Sequence, residues 1–321
     1  MSIKDKITKV YRECAFSRND RTDHVHYFTA KDFPNLRVTP YDFKSKKGHT
    51  LRGYIYSTGE PSRTNIVIFD HGLGGGHTAY MKEIVTLANA GYTVFSYDHT
   101  GCMSSEGENT GGFSQSLSDL DDCLTTLKAD PVYKDAEFSV IGHSWGGFAA
   151  LNIAAYHPDV KKIVAMSGYI SVWRMMEQMA GPLTKLLGSH LYEMEKESNP
   201  GFAEACAIKS LKDTDAKVLV IHSKDDHLTS FRYHFGTLKR AMKNKENIRF
   251  IALSGRRHNP SYTRDAVMYK ADYFNTQSKL GKKGLLSTPE NKQALIDNYD
   301  WHRMTAQDDS VWREIFDTLS A

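Results

Sequence analysis

The sequence lacks several features that would place it outside the water-soluble globular proteins. No stretch approaches the roughly 20 consecutive apolar residues needed to cross a bilayer. The first residues, MSIKDKITKVYRE, carry charges where a secretory signal needs an apolar segment. Cysteine is scarce, with 4 residues and no C-x-x-C pair, which argues against a zinc knuckle or a disulfide framework. We therefore expect a soluble, cytoplasmic protein with free thiols.

The sequence also lacks a strong charge of either sign. Its 41 Lys and Arg residues nearly balance 38 Asp and Glu residues, for a formal net charge of +3. Nucleic-acid-binding domains carry clustered positive charge, so nucleic acid is not an expected partner. There is no internal repeat, and no pattern predicts an oligomeric state. The length of 321 residues allows one large α/β domain or two small ones.

What the sequence does contain is a series of short apolar runs separated by segments with helical patterning. The runs, rich in Val, Ile and Phe, are NIVIFDHG, YTVFSYD, EFSVIG, KIVAMS, KVLVIHS and IRFIALSG. Such runs, without period-two alternation, are typical of strands buried on both faces of a parallel sheet. Before them, residues 36–57 predict two strands joined by a turn with Lys and Gly. The predicted fold class is α/β, a doubly wound and mostly parallel sheet with helices on both faces.

The order of these segments also predicts domain boundaries. Residues 1–35 are polar with a basic lean and are expected to form an N-terminal extension, a short helix and a loop, before a domain over 36–321. About fifty residues separate KIVAMS from KVLVIHS, whereas a βαβ crossover needs only about 10 to 12. We therefore expect a helical cap insertion over 168–212. Residues 261–321 are expected to be an extended C-terminal segment that ends in a closing helix.

The insertion has an amphipathic pattern with two compatible interpretations. Apolar residues recur in it at helical spacing, which predicts a pair of helices covering the core. Flexible methionines in the same pattern could also line an apolar substrate pocket under a cap. The candidate pocket residues are Trp173, Met176, Met179 and Leu183.

A serine between glycines stands at the end of one predicted strand. In EFSVIGHSWGGFAALNIAA, Ser144 lies between Gly142 and Gly146, after the strand and before a helix. Such a corner exposes the serine hydroxyl at the carboxyl edge of the sheet, and the following helix directs N–H groups toward it. Because the short pattern is common by chance, a glycine-rich turn with a capping serine is the alternative interpretation.

A serine nucleophile needs an imidazole to take its proton and an acid to orient that imidazole. Asp225 and Asp226 follow a later predicted strand, and His258 follows the next one. Because the carboxyl ends of parallel strands meet at one edge of a sheet, these side chains could gather near Ser144. Taken singly, each Asp could be a turn residue and the His a surface residue.

At these residues the sequence resembles the α/β-hydrolase superfamily, especially its capped serine esterases, lipases and aminopeptidase-like members. The resemblance covers roughly residues 37–260 and is carried by HGLGGG, SYDHTGCMSSEG, GHSWGG, HSKDDH and SGRRHNP. It implies an α/β-hydrolase fold, with Ser144 as nucleophile, Asp226 as acid and His258 as general base. Asp226 is preferred over Asp225 because the usual His-Gly-x-x-Asp pattern ends at Asp226.

The same resemblance implies an oxyanion hole built from two backbone N–H groups. These are the N–H of Leu73, in the glycine-rich loop, and that of Trp145, directly after the nucleophile. A glycine-rich loop can also cradle phosphate, but no Lys-Ser or Lys-Thr follows as in a P-loop. The sequence departs from many relatives at Thr100 and Met103, where Arg and Gly are usual, which bears on subfamily rather than on catalysis.

The expected function is hydrolysis of an ester with a hydrophobic acyl or aryl group, through an acyl-enzyme and without a metal or organic cofactor. The same side chains would serve a thioesterase or a serine aminopeptidase. An aminopeptidase needs a negatively charged surface for the substrate amine, and its candidates in the insertion are Glu177, Glu193, Glu195 and Glu197. A noncatalytic protein that binds a small ligand is the alternative from a different class.

Overall fold

The structure, a computed structural model, describes residues 3–181 and 184–320. In chain order its strands are β1 (Arg37–Pro40), β2 (Phe43–Lys44), β3 (Thr50–Leu51), β4 (Gly53–Ser57), β5 (Asn65–Asp70), β6 (Thr93–Tyr97), β7 (Glu137–His143), β8 (Lys162–Met166), β9 (Lys217–Ser223) and β10 (Ile248–Leu253). Its α-helices are α1 (Ile3–Ala15), α2 (Met81–Asn89), α3 (Gln115–Ala129), α4 (Trp145–Asn152), α5 (Val172–Ala180), α6 (Thr184–Ser198), α7 (Ala207–Ser210), α8 (Phe235–Ala241), α9 (Arg264–Lys282), α10 (Pro289–Asp297), α11 (Trp301–Met304) and α12 (Asp309–Ser320).

Eight of these strands form one sheet in the order β1-β4-β6-β5-β7-β8-β9-β10. β4 pairs antiparallel with both β1 and β6, and the pairs from β6 to β10 are parallel. The chain passes from β5 to β6 on one side and then crosses to β7 on the other side of β5. This reversal opens a crevice at the carboxyl ends of β5 and β7, where α/β sheets bind ligands. The predicted doubly wound, mostly parallel sheet is confirmed.

The first strands of the domain form two separate antiparallel pairs, whereas the sequence predicts a single pair. Instead of two strands joined by one turn, β1 pairs with β4 at the sheet edge, and β2 and β3 form a separate small hairpin. Pro40 is the last residue of β1, and it is tolerated there because β1 is the edge strand of the sheet. Gly48, with a φ of 84°, makes the hairpin turn that the Lys and Gly residues predicted.

The central strands are apolar throughout because both faces of the sheet are covered. In β5, Ile66 and Ile68 pack into the cluster on one face, while Val67 and Phe69 pack into the cluster on the other. Successive side chains of a strand point to opposite faces, so a strand covered on both sides needs no polar alternation. The continuous apolar runs of the sequence follow from this burial.

The N-terminal residues pack onto the domain. Tyr11 of α1 is 4% exposed and belongs to the main core cluster. Farther along, Asn19 forms a parallel bridge with Cys102, and the Arg18 guanidinium donates to the carbonyls of Met103 and Ser105. The segment therefore braces the loop after β6.

The insertion and the C-terminal segment are helical. Over 168–212 the insertion contains α5, α6 and α7, and the hydroxyl of Ser171 caps α5 by accepting from the N–H of Arg174. The last helix, α12, packs on β8 and β9 through the buried Trp312 and Ile315. Within the described ranges, no helix combines the length and apolar character needed to span a membrane.

Candidate active site

Ser144 occupies a strained corner between β7 and α4. Its φ of 55° and ψ of −107° lie where non-glycine residues are rare. The corner is held by two hydrogen bonds, from the Ser144 N–H to the Met166 carbonyl at 2.8 Å and from the Phe148 N–H to the Ser144 carbonyl at 3.0 Å. Strain of this kind persists only where the surroundings fix the backbone, and it is common at functional sites.

The glycines on either side of Ser144 are required by close backbone contacts. A Cβ at Gly142 would collide with the carbonyl of Gly146, and a Cβ at Gly146 would collide with the carbonyl of Asp70. A side chain at either position would push α4 away from the ends of β5 and β7. The pattern G-x-S-x-G is thus explained by packing at the corner.

Asp226 and His258 meet at the same edge of the sheet. His258 Nδ1 lies 2.8 Å from Asp226 Oδ2, while the N–H groups of Leu228 and Thr229 donate to Asp226 Oδ1 at 2.9 and 3.1 Å. Burial would raise the pKa of Asp226, but hydrogen bonds from His222 and His258 outweigh it and hold that pKa well below its usual range. The ionised carboxylate therefore accepts the Nδ1–H of His258, which leaves Nε2 as the proton acceptor.

Asp225 has a separate role that sequence reasoning missed. Its carboxylate accepts from the Ser223 hydroxyl at 2.5 Å, from the Gly255 N–H at 2.9 Å and from the Arg257 N–H at 3.3 Å. The bonds from Gly255 and Arg257 come from the turn that leads into His258. Asp225 therefore braces the histidine loop, whereas Asp226 contacts the imidazole itself.

A relay of hydrogen bonds joins the histidine loop to the glycine-rich loop. His143 Nε2 lies 2.6 Å from the carbonyl of His258, and the Tyr80 hydroxyl lies 2.8 Å from His143 Nδ1. Because a carbonyl only accepts, Nε2 carries the proton and Nδ1 accepts from Tyr80. The Tyr80 oxygen in turn accepts from the Gly72 N–H at 3.1 Å.

Burial and the neighbouring His258 lower the pKa of His143 to about 3, so its imidazole is neutral. Its position inside G-x-S-x-G was the one sequence signal for this role, and no local pattern marked Tyr80.

In the glycine-rich loop, hydrogen bonds fix the orientation of the peptide plane that contains the Gly72 carbonyl and the Leu73 N–H. His71 Nε2 accepts from the His99 N–H at 3.1 Å, so His71 Nδ1 carries the proton and donates to the Gly72 carbonyl at 2.8 Å. In a trans peptide the C=O and N–H point in opposite directions, which turns the Leu73 N–H away from His71. Trp145 is the first residue of α4, so its N–H has no acceptor within the helix.

One cavity of about 640 Å³ brings together most of the predicted site. Its lining includes the predicted nucleophile, base and oxyanion residues: Ser144, His258, Leu73 and Trp145. Further apolar lining comes from Phe113, Tyr169, Met175, Met179 and Leu228. Among the described residues, no Asp or Glu side chain lines this cavity.

The pocket prediction needs correction at two of its four residues. Met179 lines the cavity, but Met176 is 1% exposed in the core, and Trp173 packs edge-on against Tyr192, with ring centroids 5.5 Å apart. Met175 and Met179 are four residues apart in α5, so they share the helix face that lines the cavity. Trp173 and Met176 lie on other faces of the helix. Leu183 lies outside the described residues.

The four acidic residues proposed for an aminopeptidase surface lie outside the lining of this cavity. Glu195 is fully buried and accepts from the Tyr11 hydroxyl at 2.7 Å. Glu177 pairs with Arg174, and Glu193 pairs with Lys196. Neither these three nor Glu197 lines the cavity. The described part of the chain also holds no group of three or more His, Cys, Asp or Glu side chains arranged for a metal ion.

Comparison with known proteins finds that part of the chain resembles known hydrolases. A family model described as serine aminopeptidase, S33, matches residues 61–202, less than half of the chain. The putative carbamate hydrolase RutD of Rhizobium rhizogenes is 28% identical over 106 residues, which are 32% of this chain and 38% of that protein. A proline iminopeptidase of Saccharolobus solfataricus is 29% identical over 122 residues, 37% of each chain. The chain spans about two fifths of the length of the curated relatives it matches.

A solved esterase of Pyrococcus furiosus resembles most of the chain in fold. It superposes with a TM-score of 0.59 at 18% identity, covering 84% of this chain and 98% of that one. Identity at this level supports the fold alone. The order of the strands, the strained corner at Ser144 and the likeness to the solved esterase together define the α/β-hydrolase fold. The chain is a member of the α/β-hydrolase superfamily.

Proposed function

We propose that the protein is a serine hydrolase that cleaves an ester with a hydrophobic acyl or aryl group. The observation that carries the proposal is the 2.8 Å hydrogen bond from His258 to the ionised Asp226, at a cavity that Ser144 also lines. An imidazole oriented by a buried carboxylate beside a serine in a strained corner is the arrangement that activates a hydroxyl.

In the proposed mechanism, Nε2 of His258 takes the proton of Ser144, whose Oγ attacks the ester carbonyl carbon. The N–H groups of Leu73 and Trp145 stabilise the oxyanion, and the alcohol leaves with the proton from His258. Water, activated by the same imidazole, then hydrolyses the acyl-enzyme. These steps use only side chains, backbone N–H groups and water.

The cavity wall favours an apolar acyl or aryl group. Phe113, Tyr169, Met175 and Met179 contribute apolar surface on the side of the insertion and the loop before α3. An aminopeptidase would need an acid near the scissile bond for the substrate amine. Because no acidic side chain of the described residues lines the cavity, we favour an ester over a peptide, despite the description of the matching family model.

The test is covalent labelling with a fluorophosphonate followed by intact mass measurement. Wild type should gain one adduct, and Ser144→Ala should gain none. Ser104→Ala, which changes an exposed serine in a neighbouring loop, is the matched control and should label like wild type. A folded wild type that gains no adduct would favour the noncatalytic binding protein. Panels of esters, thioesters and peptides would then rank the leaving groups.

The cellular location also remains a prediction. All four cysteines are free, two of them buried, in keeping with the reducing, cytoplasmic compartment that the sequence predicts.

A further inference from the structure

A lysine from the C-terminal segment reaches the cavity that holds Ser144 and His258. Lys270, in the first half of α9, is half-buried and lines that cavity. Its Nζ lies 3.2 Å from Asn259 Oδ1 and 5.2 Å from the centre of the Tyr262 ring. Both contacts are with uncharged groups of the segment that follows the proposed base.

Within the described residues, this ammonium group takes part in no ion pair. The carboxylate with the strongest electrostatic interaction with Lys270 is that of Glu83. Glu83 is 2% exposed, and its Oε1 lies 3.4 Å from the Ser261 hydroxyl. Burial raises the pKa of Glu83 to about 7, so this carboxyl group carries only part of a charge near neutral pH. The other cavity-lining side chains that can titrate are histidines, tyrosines and Cys14.

A half-buried ammonium without a counter-ion is costly. Burial lowers the pKa of Lys270, and the nearby Glu83 opposes that shift. An anion entering the cavity would restore the balance of charge. Asn259 adds to the site, because its Oδ1 accepts from Lys270 and its side-chain NH₂ remains a second donor toward an anion.

We propose that Lys270 and Asn259 form a carboxylate-binding subsite of the catalytic cavity, and that the natural substrate is an ester carrying a carboxylate in addition to its apolar part. The proposal rests on the ester hydrolysis proposed above. One ammonium and one amide suit the two oxygens of a carboxylate, whereas a phosphate dianion would need further positive charge. The neighbouring Arg256 does not supply it, since Arg256 is paired with Asp308.

The test compares two substrates that differ only in one charge. The mono-4-nitrophenyl ester of octanedioic acid has a free carboxylate at its far end, and its methyl ester does not. The readout is the ratio of kcat/KM for the acid to kcat/KM for the methyl ester. Because a merely structural role of Lys270 would affect both substrates alike, the ratio isolates recognition of the carboxylate.

We expect Lys270→Gln, which keeps a polar side chain, to lower this ratio by roughly tenfold to a hundredfold, the range of a hydrogen bond to a charged group. Lys270→Met should do the same, and Lys270→Arg should retain most of the preference. Lys279→Met removes an exposed lysine from the same helix and should leave the ratio unchanged. A ratio in Lys270→Gln within about twofold of wild type would overturn the proposal.

Binding to an inactive variant separates this proposal from the proposed function. On a Ser144→Ala background, calorimetry should show octanedioic acid binding more tightly than its monomethyl ester, and Lys270→Gln should abolish the difference. Equal binding of the two compounds would refute the subsite whether or not esters are cleaved. Ester hydrolysis that survives Ser144→Ala would instead refute the proposed mechanism, while the binding result would stand.

Discussion

The Tyr80 hydroxyl lies 2.8 Å from Nδ1 of His143, and this contact connects the two loops between which a substrate carbonyl would lie. The Tyr80 oxygen accepts from the Gly72 N–H, next to Leu73, and His143 Nε2 donates to the carbonyl of His258. The relay thus sets the distance between the proposed oxyanion donor and the proposed base. It acts through backbone groups, so Tyr80 and His143 are positioning residues.

Tyr80→Phe should weaken both activity and stability. The change leaves the Gly72 N–H without its acceptor and His143 Nδ1 without its donor, which costs about 1–3 kcal/mol of unfolding free energy for buried groups. Since small displacements of reacting groups cost rate, kcat should fall about tenfold. Urea unfolding and ester hydrolysis measure the two effects.

The matched control for Tyr80→Phe is Tyr92→Phe, whose exposed hydroxyl lies 3.4 Å from that of Ser320. The control should stay within about 0.5 kcal/mol of wild type. A Tyr80→Phe protein with wild-type kcat would show that the relay does not position the site.

Glu195→Gln should destabilise the attachment of α1 and the insertion. The Glu195 carboxylate accepts from Tyr11 at 2.7 Å, from the Phe113 N–H at 2.8 Å, and from the N–H and hydroxyl of Ser114 at 3.1 and 2.7 Å. An amide turns one acceptor oxygen into a donor that faces other donors, so we expect a loss of about 2–4 kcal/mol in the free energy of unfolding. Denaturant titration measures the loss.

Glu193→Gln is the control for that experiment. Glu193 lies on the same helix and pairs with Lys196 at the surface, and exposed pairs contribute no more than about 1 kcal/mol. If both variants lost the same small amount of unfolding free energy, the four hydrogen bonds to the buried Glu195 carboxylate would not stabilise the attachment of α1 and the insertion.

The main elements could be predicted because their signals are local or topological. Strands covered on both faces leave continuous apolar runs, and parallel strands bring residues that follow them to one edge. Ser144, Asp226 and His258 each follow a strand, so their common edge could be argued without knowing any contact. Asp226 could be separated from Asp225 only through the family pattern.

The rest of the site depends on packing between elements far apart in the chain. The amphipathic pattern of α5 tells which residues share a face, but which neighbour covers that face is decided by tertiary packing. For this reason the pattern could not show that Trp173 and Met176 lie away from the cavity that Ser144 lines. Neither Tyr80 nor Lys270 belongs to a sequence motif. Tyr80 lines the cavity because it lies in a short helical turn after β5, and Lys270 lines it because α9 of the C-terminal segment packs nearby.

Glu83→Gln should change how stability depends on pH. Burial raises the pKa of Glu83 in the folded protein to about 7, against about 4.3 when unfolded. The folded state therefore binds more protons between these values, and its stability is lost as the pH rises through them. Over this window the loss is about 3 kcal/mol, and the glutamine variant should not show it.

The measurement is urea unfolding of both proteins at pH 4.5 and pH 8. The unfolding free energy of Glu83→Gln minus that of wild type should become more positive by about 3 kcal/mol on going to pH 8. Glu108→Gln, at an exposed position, controls for the substitution and should shift by less than about 0.5 kcal/mol. A difference that stays flat would mean that folding does not raise the pKa of Glu83.

Asp226→Asn should mainly lower the rate of hydrolysis, whereas Asp225→Asn should mainly lower the free energy of unfolding. An asparagine at position 226 cannot act as the ionised acceptor of the His258 Nδ1–H, so the imidazole loses both its fixed tautomer and the stabilisation of its charged form. Loss of the acid from a serine triad lowers kcat by about ten thousand fold in the best-studied case. An asparagine at position 225 keeps one oxygen for the turn before His258 but loses the other.

For Asp225→Asn we therefore expect a loss of about 1–2 kcal/mol in unfolding free energy and a fall in kcat of about tenfold or less. Steady-state hydrolysis and urea unfolding of the two variants, side by side, decide the assignment, because both substitutions remove the same charge from adjacent positions. The reverse order of activities would make Asp225 the acid partner of His258. It would also require the loop after β9 to rearrange, since Asp226 is the carboxylate that contacts the imidazole in this structure.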